Sequence, residues 1–234
     1  MHDVGHAPFS HTGENFYLED KQNPIWNQLC TAVSDTKFNS DSKGDRVGAP
    51  HEIMSALTSL QLFPELFSSN DDKSFFARCI IGLKNSDTDI CSSIKNCFIE
   101  LLNSNTIDVD KLDYLLRDSF VTGFSSVSID YRRLLSAVCI VKQESKIILA
   151  FNKSALSTLE SVILAHDMER KWIQNHPVIQ YENYLVEYII SESIKYYQQR
   201  NISLFSYPTL TEKGSTDCIP VEDFLNYLKK TVKN

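Results

Sequence analysis

Apolar residues recur at helical spacing along most of the chain. Segment 51–63 is apolar at positions three or four residues apart, which are Ile53, Met54, Leu57 and Leu60, and this spacing places them on one face of a helix. Comparable patterns occupy 14–33, 72–83, 89–104, 107–123, 154–175, 179–200 and 221–232. The clearest is 107–123, which ends at Gly123, a residue typical of helix C-termini. The pattern therefore predicts an all-α protein.

Other segments interrupt the helical pattern. Segment 34–50 is polar, contains two glycines and closes on Pro50, which predicts a surface loop. Segment 207–220 predicts another loop. In 137–152, two β-rich runs flank the polar stretch "KQESK", which indicates a small β-hairpin. We thus expect a helical core over 1–135, and over 136–234 the hairpin followed by a C-terminal helical extension packed on the same core.

Composition narrows the class of protein. The chain has 234 residues, of which 42% are hydrophobic and 11% aromatic. This length and composition predict a folded protein with a sizeable hydrophobic core and argue against a disordered chain. The net charge of −7 gives no indication of a nucleic-acid or membrane patch. Six cysteines without a CxxC pair indicate free thiols, and no apolar stretch is long enough to cross a membrane. These features predict a cytoplasmic protein.

The first fourteen residues, "MHDVGHAPFSHTGE", concentrate groups that bind metals and transfer protons. His2 and His6 are four residues apart and lie on the same face of a helical turn. His11 and Glu14 are three residues apart, close enough for a carboxylate to orient an imidazole and raise its basicity. Such a pair suits proton transfer. A helix terminus with scattered surface histidines is the alternative interpretation of any single His-Asp dipeptide.

The helix predicted over 107–123 carries a polar face. Asp110, Tyr114 and Asp118 recur at four-residue steps, with Lys111 beside them. Four other side chains of this helix point elsewhere, toward a core, and they are Leu112, Leu115, Leu116 and Ser119. The alternative is an amphipathic helix with a solvated acidic face.

Two further dipeptides, each a histidine followed by an acidic residue, have separate interpretations. His51-Glu52 stands at the start of the helix predicted over 51–63, where a glutamate is favoured by the helix dipole. His166-Asp167 lacks the Gly-x-Pro-x-Ser-His continuation that follows His2-Asp3, so we predict that it lies on a helix surface.

Several of these motifs resemble one family. "HDVGHAPFSH" resembles the signature of the HD-domain metal-dependent phosphohydrolases, and "HTGE" resembles the deoxynucleoside triphosphate triphosphohydrolase branch of that family. "DVDKLDYLLRD" resembles the second signature of the same branch, and "HE" at 51–52 resembles a third. The segment 159–177 looks like the helix that follows in these proteins. The resemblance covers roughly residues 1–185 and implies an HD-domain helical core.

The resemblance also implies a role for each matching residue. The metal ligands would be His2, Asp3 and Asp110. The catalytic pair that handles protons would be His11 and Glu14, and the histidines that face the phosphates would be His6 and His51. The residues that contact phosphate and sugar would be Lys111, Tyr114 and Asp118. The cofactor would be a divalent ion, and Mn, Mg, Fe, Zn, Co and Ni are not distinguished by these ligands.

The chain departs from the family pattern at one point. The family has one more metal-binding histidine, on a helix upstream of the His-Asp pair, and no segment of this chain supplies it. We therefore expect that the chain is a fragment, a domain piece or a split gene product, and that these residues alone have weak or no activity unless another chain or segment completes the site.

Three functions follow from the sequence. The first is hydrolysis of a dNTP to a deoxynucleoside and triphosphate by a homo-oligomer, and the second is hydrolysis of another nucleotide phosphoester. The third is an inactive, nucleotide-binding or regulatory subunit.

Overall fold

Helices dominate the part of the chain that this computed structural model describes, which is residues 1–6, 9–14, 25–42, 48–124, 128–144 and 146–199. The α-helices of these ranges are α1 (His11–Glu14), α2 (Ile25–Val33), α3 (Thr36–Asp41), α4 (Pro50–Leu62), α5 (Asn70–Ile81), α6 (Ile90–Leu102), α7 (Val109–Thr122), α8 (Tyr131–Ser136), α9 (Leu156–Glu169) and α10 (Pro177–Gln198). The strands β1 (Val138–Gln143) and β2 (Lys146–Phe151) pair antiparallel, with Val138 opposite Phe151. The predicted all-α fold with a small hairpin is confirmed. The predicted loop 207–220 and helix 221–232 lie outside the described residues.

Side-chain caps and glycines set the helix ends. Asp108 accepts a hydrogen bond from the backbone N–H of Lys111 at the start of α7, and Asp89 does the same for Cys91 and Ser92 at the start of α6. Gly123 ends α7 with φ of +68°, in the left-handed region that glycine adopts without steric cost. The bounds predicted for α7 are therefore correct to within two residues.

The prediction of a loop over 34–50 is wrong for its middle part, which forms α3. Asp35 caps this helix by accepting a hydrogen bond from the backbone N–H of Lys37. Phe38 is fully buried and stacks on Trp26, with ring centroids 5.4 Å apart. A single large aromatic residue thus anchors a helix in an otherwise polar segment.

Within the described residues, two hydrophobic cores hold the helices together. In the first, α2, α4 and α5 contribute fully or almost fully buried side chains such as Leu29, Leu57 and Ile81. In the second, α7, α8 and α9 contribute Leu112, Leu134 and Val162. The division of the chain at residue 136 stays a prediction.

Apolar spacing alone does not identify the buried face of two helices. On α6 the buried residues are Cys97 and Ile99, whereas Ile90 is 68% exposed and Phe98 49%. On α7, Leu112 and Leu115 are buried as predicted, but Leu116 is 57% exposed. Spacing identifies an amphipathic helix, but the position of its neighbours decides which face is buried.

The segment predicted as one helix over 154–175 is divided in the structure. The α-helical part ends at Glu169 and continues as a π-helical turn over Arg170–Gln174. Pro177 lies at the start of the next helix, where its missing N–H has no cost. Across the described ranges, no helix combines the length and the apolar character that crossing a bilayer requires.

Candidate metal centre and catalytic histidines

The N-terminal segment lies directly on α4 because residue 5 is a glycine. The backbone N–H of Gly5 donates a hydrogen bond of 2.8 Å to Ser55 Oγ. A Cβ atom at Gly5 would lie 2.2 Å from the backbone nitrogen of Ser55, closer than any side chain permits. This close approach fixes where the flanking residues His2, Asp3 and His6 lie.

His2, Asp3 and Asp110 form the first group of the site. His2 Nε2 lies 2.9 Å from Asp110 Oδ1 and 3.1 Å from Asp3 Oδ1. One ligand atom from each residue lies within 4.8 Å of the others. The predicted metal ligands, two from the N-terminal segment and one from the first turn of α7, are therefore close together. Imidazole nitrogen and carboxylate oxygen are donors that several divalent cations accept.

His6, His11, Glu14 and His51 form the second group. Glu14 Oε1 accepts a hydrogen bond of 2.6 Å from His11 Nδ1, and it lies 2.8 Å from His51 Nδ1 and 3.6 Å from His6 Nδ1. The rings of His6 and His51 are stacked with centroids 4.1 Å apart. One ligand atom from each of the four residues again lies within 4.8 Å of the others, so this group can also hold a metal ion.

The electrostatics of this second group favour a charged pair. Burial alone would raise the pKa of Glu14, but the imidazoles of His11 and His51 outweigh it and lower the pKa to about 2. The hydrogen bond to Glu14 raises the pKa of His11. Burial and the neighbouring His51 and His11 lower the pKa of His6. Glu14 is thus an anion at neutral pH, and His11 is the imidazole that it stabilises as a cation.

The two groups are neighbours. His6 Nε2 lies 3.4 Å from Asp3 Oδ1 and thereby connects the second group with the first. The side chain of His11 is 73% exposed, whereas that of Glu14 is only 10% exposed. The arrangement presents an accessible proton donor beside a potential cation site.

The three residues predicted to contact phosphate and sugar have different surroundings. Lys111 Nζ donates to Ser104 O at 2.7 Å and pairs with Asp108 Oδ2 at 2.5 Å. Tyr114 is half-buried on α7, and Asp118 lies 3.6 Å from Arg117 Nε. Their predicted roles stay predictions, and Lys111 is held by its own loop in this structure.

His166 lies near α7, the helix that carries Asp110. Its ring centroid lies 6.4 Å from that of Tyr114, and the residue is half-buried. Val162, Ala165 and Glu169 recur at helical spacing and form a buried face of α9. His166 lies at the edge of that buried face.

A second feature that the sequence analysis missed fixes the start of α4. Glu52 accepts hydrogen bonds from the backbone N–H of Ala49 and from Asn103 Nδ2, and Asn103 also donates to Ile80 O. These contacts hold the helix turn that carries His51 against the ends of α5 and α6. An ordinary capping box begins with Ser, Thr, Asp or Asn, but the N-cap residue of α4 is Ala49. The sequence pattern therefore does not indicate the motif.

No family model matches the chain. It aligns over 99% of its length with an uncharacterized protein of Methanocaldococcus jannaschii, at 22% identity and over 40% of that protein. It aligns over 70% of its length with an uncharacterized protein of Mycoplasma pneumoniae, at 27% identity and over 33% of that protein. A mimivirus protein named "Putative HD domain-containing protein L394" aligns at 27% identity over 76% of the chain and 32% of the relative.

The chain thus spans about a third to two fifths of the curated relatives that it matches. Its distant relatives include a protein named for an HD domain, which agrees with the donor set of the first group at the level of the superfamily.

Proposed function

We propose that the chain is the core of an HD-type metal-dependent phosphohydrolase that cleaves dNTPs to deoxynucleosides and triphosphate. The observation that carries the proposal is the contact of His2, which also contacts Asp3, with Asp110, more than one hundred residues further along the chain. Two motifs that resemble one family in sequence meet in space, and the histidine–glutamate pair lies beside them.

The first group fits a divalent cation. His2, Asp3 and Asp110 offer one nitrogen and two carboxylate oxygens that lie within 4.8 Å of one another. A divalent cation bound there would act as a Lewis acid on a phosphoryl oxygen. The half-exposed side chains of His2 and Asp3 leave the group open to a ligand.

His11 would protonate the leaving oxygen of the sugar. Its hydrogen bond to Glu14 orients the ring and raises its pKa, because the buried carboxylate stabilises the imidazolium. The exposed ring can reach a bound substrate. His6 and His51, whose rings are stacked, would face the phosphates.

The contacts of Lys111 favour a second candidate, hydrolysis of a nucleotide with fewer phosphates. Because Lys111 Nζ is held by Ser104 and Asp108, it supplies no positive charge to a triphosphate in this conformation. A nucleoside monophosphate or a signalling nucleotide would need less charge than a dNTP.

The decisive experiment compares Asp110→Asn with Asp113→Asn, an exposed aspartate on the same helix that pairs with Arg117. We expect the wild-type chain and the Asp113 variant to retain bound Mn²⁺ in equilibrium dialysis and the Asp110 variant to lose it. Equal retention by both variants would refute the metal site.

Product analysis separates the two candidate substrates. Each of the four dNTPs and a set of nucleoside monophosphates are incubated with the protein and Mn²⁺, and anions are resolved by ion-exchange chromatography. Triphosphate release supports the dNTP proposal, and orthophosphate release supports the second candidate. Metal binding with neither product refutes both.

A further inference from the structure

The two groups of the candidate site differ in their donor atoms. The second group, which is His6, His11, Glu14 and His51, offers three imidazoles and one carboxylate, whereas the first group offers one imidazole and two carboxylates. Imidazole ligands suit Zn²⁺, and carboxylate ligands suit Mn²⁺ and Mg²⁺. We therefore expect the two groups to prefer different ions.

The nitrogen atoms of the second group converge on one oxygen. Glu14 Oε1 lies 2.6 Å from His11 Nδ1 and 2.8 Å from His51 Nδ1. The same oxygen lies 3.6 Å from His6 Nδ1. Zinc binds such atoms at roughly 2.0–2.2 Å, so the donor atoms of a tetrahedral site are about 3.4 Å apart. The observed distances lie on both sides of this value, and small side-chain movements would therefore complete the site.

The three rings reach the carboxylate from different directions. The planes of His6 and His51 differ by only 9°, whereas the ring of His11 is inclined at 82° to the first and 76° to the second. The imidazoles thus surround Glu14 instead of lying in one plane. A tetrahedral ion needs donors that are not coplanar.

One nitrogen of the second group is buried without a satisfied hydrogen bond. Among the described residues, His51 Nδ1 has no hydrogen-bond partner, because its 2.8 Å contact with Glu14 Oε1 lacks the required geometry. His51 lies in the first turn of α4, which the contacts of Glu52 with Ala49 and Asn103 hold in place. A buried polar atom is costly unless a partner satisfies it. The atom therefore indicates a ligand that comes from outside the chain.

The opposite nitrogen of His6 has a carboxylate partner. His6 Nε2 lies 3.4 Å from Asp3 Oδ1. A metal-bound imidazole commonly donates its other N–H to a carboxylate, which orients the ring and makes the bound nitrogen more basic. His6 Nδ1 has an exposed contact of 3.3 Å with Ser10 Oγ, which an ion would displace. His6 is thus arranged to bind an ion through Nδ1.

We propose that the second group is a separate metal site that prefers Zn²⁺ to Mn²⁺, with three imidazoles binding through Nδ1 and Glu14 through Oε1. The ion takes the place of the proton that His11 and Glu14 now share. The site itself does not depend on the proposed hydrolase activity. One consequence rests on that activity: an ion that holds the His11 ring withdraws it from proton transfer, so Zn²⁺ inhibits the hydrolase.

The test measures Zn²⁺ bound to the metal-stripped chain by equilibrium dialysis and atomic emission. Asp110→Asn removes a ligand of the first group, and this variant should still bind one Zn²⁺ per chain. Adding His51→Ala should weaken that binding at least about tenfold, because loss of even an outer partner of a metal ligand costs as much. Adding His11→Ala instead should do the same, and its 73% exposed side chain can be removed without opening the core.

The control is His176→Asn in the same Asp110→Asn background. His176 is an exposed histidine whose side chain accepts a hydrogen bond from the backbone N–H of Val178, and asparagine can replace it as a helix cap. This variant should leave Zn²⁺ binding unchanged. Circular dichroism verifies that each variant is folded.

The preference for zinc is tested by comparing the two groups. The ratio of Zn²⁺ affinity to Mn²⁺ affinity should be at least about tenfold larger in Asp110→Asn, which keeps the second group, than in His51→Ala, which keeps the first. Because both ratios are measured for the same two ions, the general tendency of Zn²⁺ to bind more tightly than Mn²⁺ cancels.

Three results would overturn the proposal: no Zn²⁺ bound to Asp110→Asn, equal binding with and without His51→Ala, or equal affinity ratios for the two groups. Failure of the proposed hydrolase gives a different result. A chain that binds Zn²⁺ in the second group but releases neither triphosphate nor orthophosphate supports this site and refutes the hydrolase.

Discussion

At the residue scale, Glu14 is the centre of the candidate catalytic group. Its carboxylate is buried, yet it stays ionised because His11 donates a hydrogen bond to it and His51 Nδ1 lies 2.8 Å away. The same hydrogen bond raises the pKa of His11. A single carboxylate therefore sets the orientation of two rings and the protonation state of one of them.

Replacing Glu14 with glutamine should lower the pKa of His11, since the amide offers no negative charge. The stabilising effect of the pair requires an ionised Glu14, so it is present above pH 4.5 and lost as pH falls toward about 2. It also requires a protonated His11, so it is fully present below pH 6.5 and lost as pH rises through the raised pKa. NMR titration of the His11 ring in metal-free protein measures the shift. An unchanged His11 titration in the variant would contradict the pairing.

Gly5 is the second residue on which the site depends. Gly5→Ala should weaken Mn²⁺ binding and lower the free energy of unfolding by about 1–3 kcal/mol, because the new methyl group overlaps the backbone of α4. The displaced segment carries His2 and Asp3 away from Asp110. Isothermal titration calorimetry and urea unfolding measure the two effects.

Gly123→Ala is the matched control, since Gly123 has φ of +68° and open space around it. It should cost about 1 kcal/mol of stability through backbone strain and leave Mn²⁺ affinity unchanged. If both variants lost affinity equally, the specific role of Gly5 would be wrong.

At the element scale, one buried arginine connects α3 and α5. Arg78 is 2% exposed, its Nη2 lies 2.7 Å from Asp41 Oδ2, and its Nε donates to Ser74 Oγ. Asp35, the N-cap of α3, accepts from the same Ser74. The buried Arg78–Asp41 ion pair and the buried Phe38 side chain thus both anchor α3, whose polar composition had predicted a loop.

Arg78→Met should destabilise the fold by about 3–5 kcal/mol, because it leaves the buried carboxylate of Asp41 without a counter-ion. The control is Lys84→Met, which breaks the exposed pair with Glu100 and should cost less than about 1 kcal/mol. Urea denaturation midpoints compare the two. Equal midpoints would show that the buried pair does not anchor α3.

At the scale of the whole molecule, the candidate metal site joins the N-terminal segment to α7. A ligand that binds only the folded state stabilises it by mass action. Mn²⁺ at one hundred times its dissociation constant should therefore add about 2.7 kcal/mol and raise the melting temperature by several degrees. Differential scanning calorimetry with and without Mn²⁺ measures the change.

EDTA should reverse this stabilisation, and Asp110→Asn should abolish it while leaving the metal-free melting temperature close to that of the wild type. A Mn²⁺-dependent shift that persists in the variant would place the ion elsewhere, with the group of His6, His11, Glu14 and His51 as the first alternative. The predicted homo-oligomer stays a prediction, and sedimentation equilibrium measures it directly.

The sequence by itself determined the class of the fold and the residues of the candidate site. Helical periodicity, capping residues and Gly123 set the bounds of α7, and alternating β-rich runs located the hairpin. These are local properties, which depend on side chains within a few residues of one another. The dense cluster of histidines and carboxylates in the first fourteen residues was visible for the same reason.

Only the tertiary structure decided which residues meet. In the structure His2 contacts Asp110, and the ring of His166 lies 6.4 Å from that of Tyr114. Lys111 Nζ donates to the backbone oxygen of Ser104, in the loop that precedes α7. The physical reason is that spacing fixes the angle of a side chain around its own helix, whereas contacts depend on how helices far apart in sequence pack together.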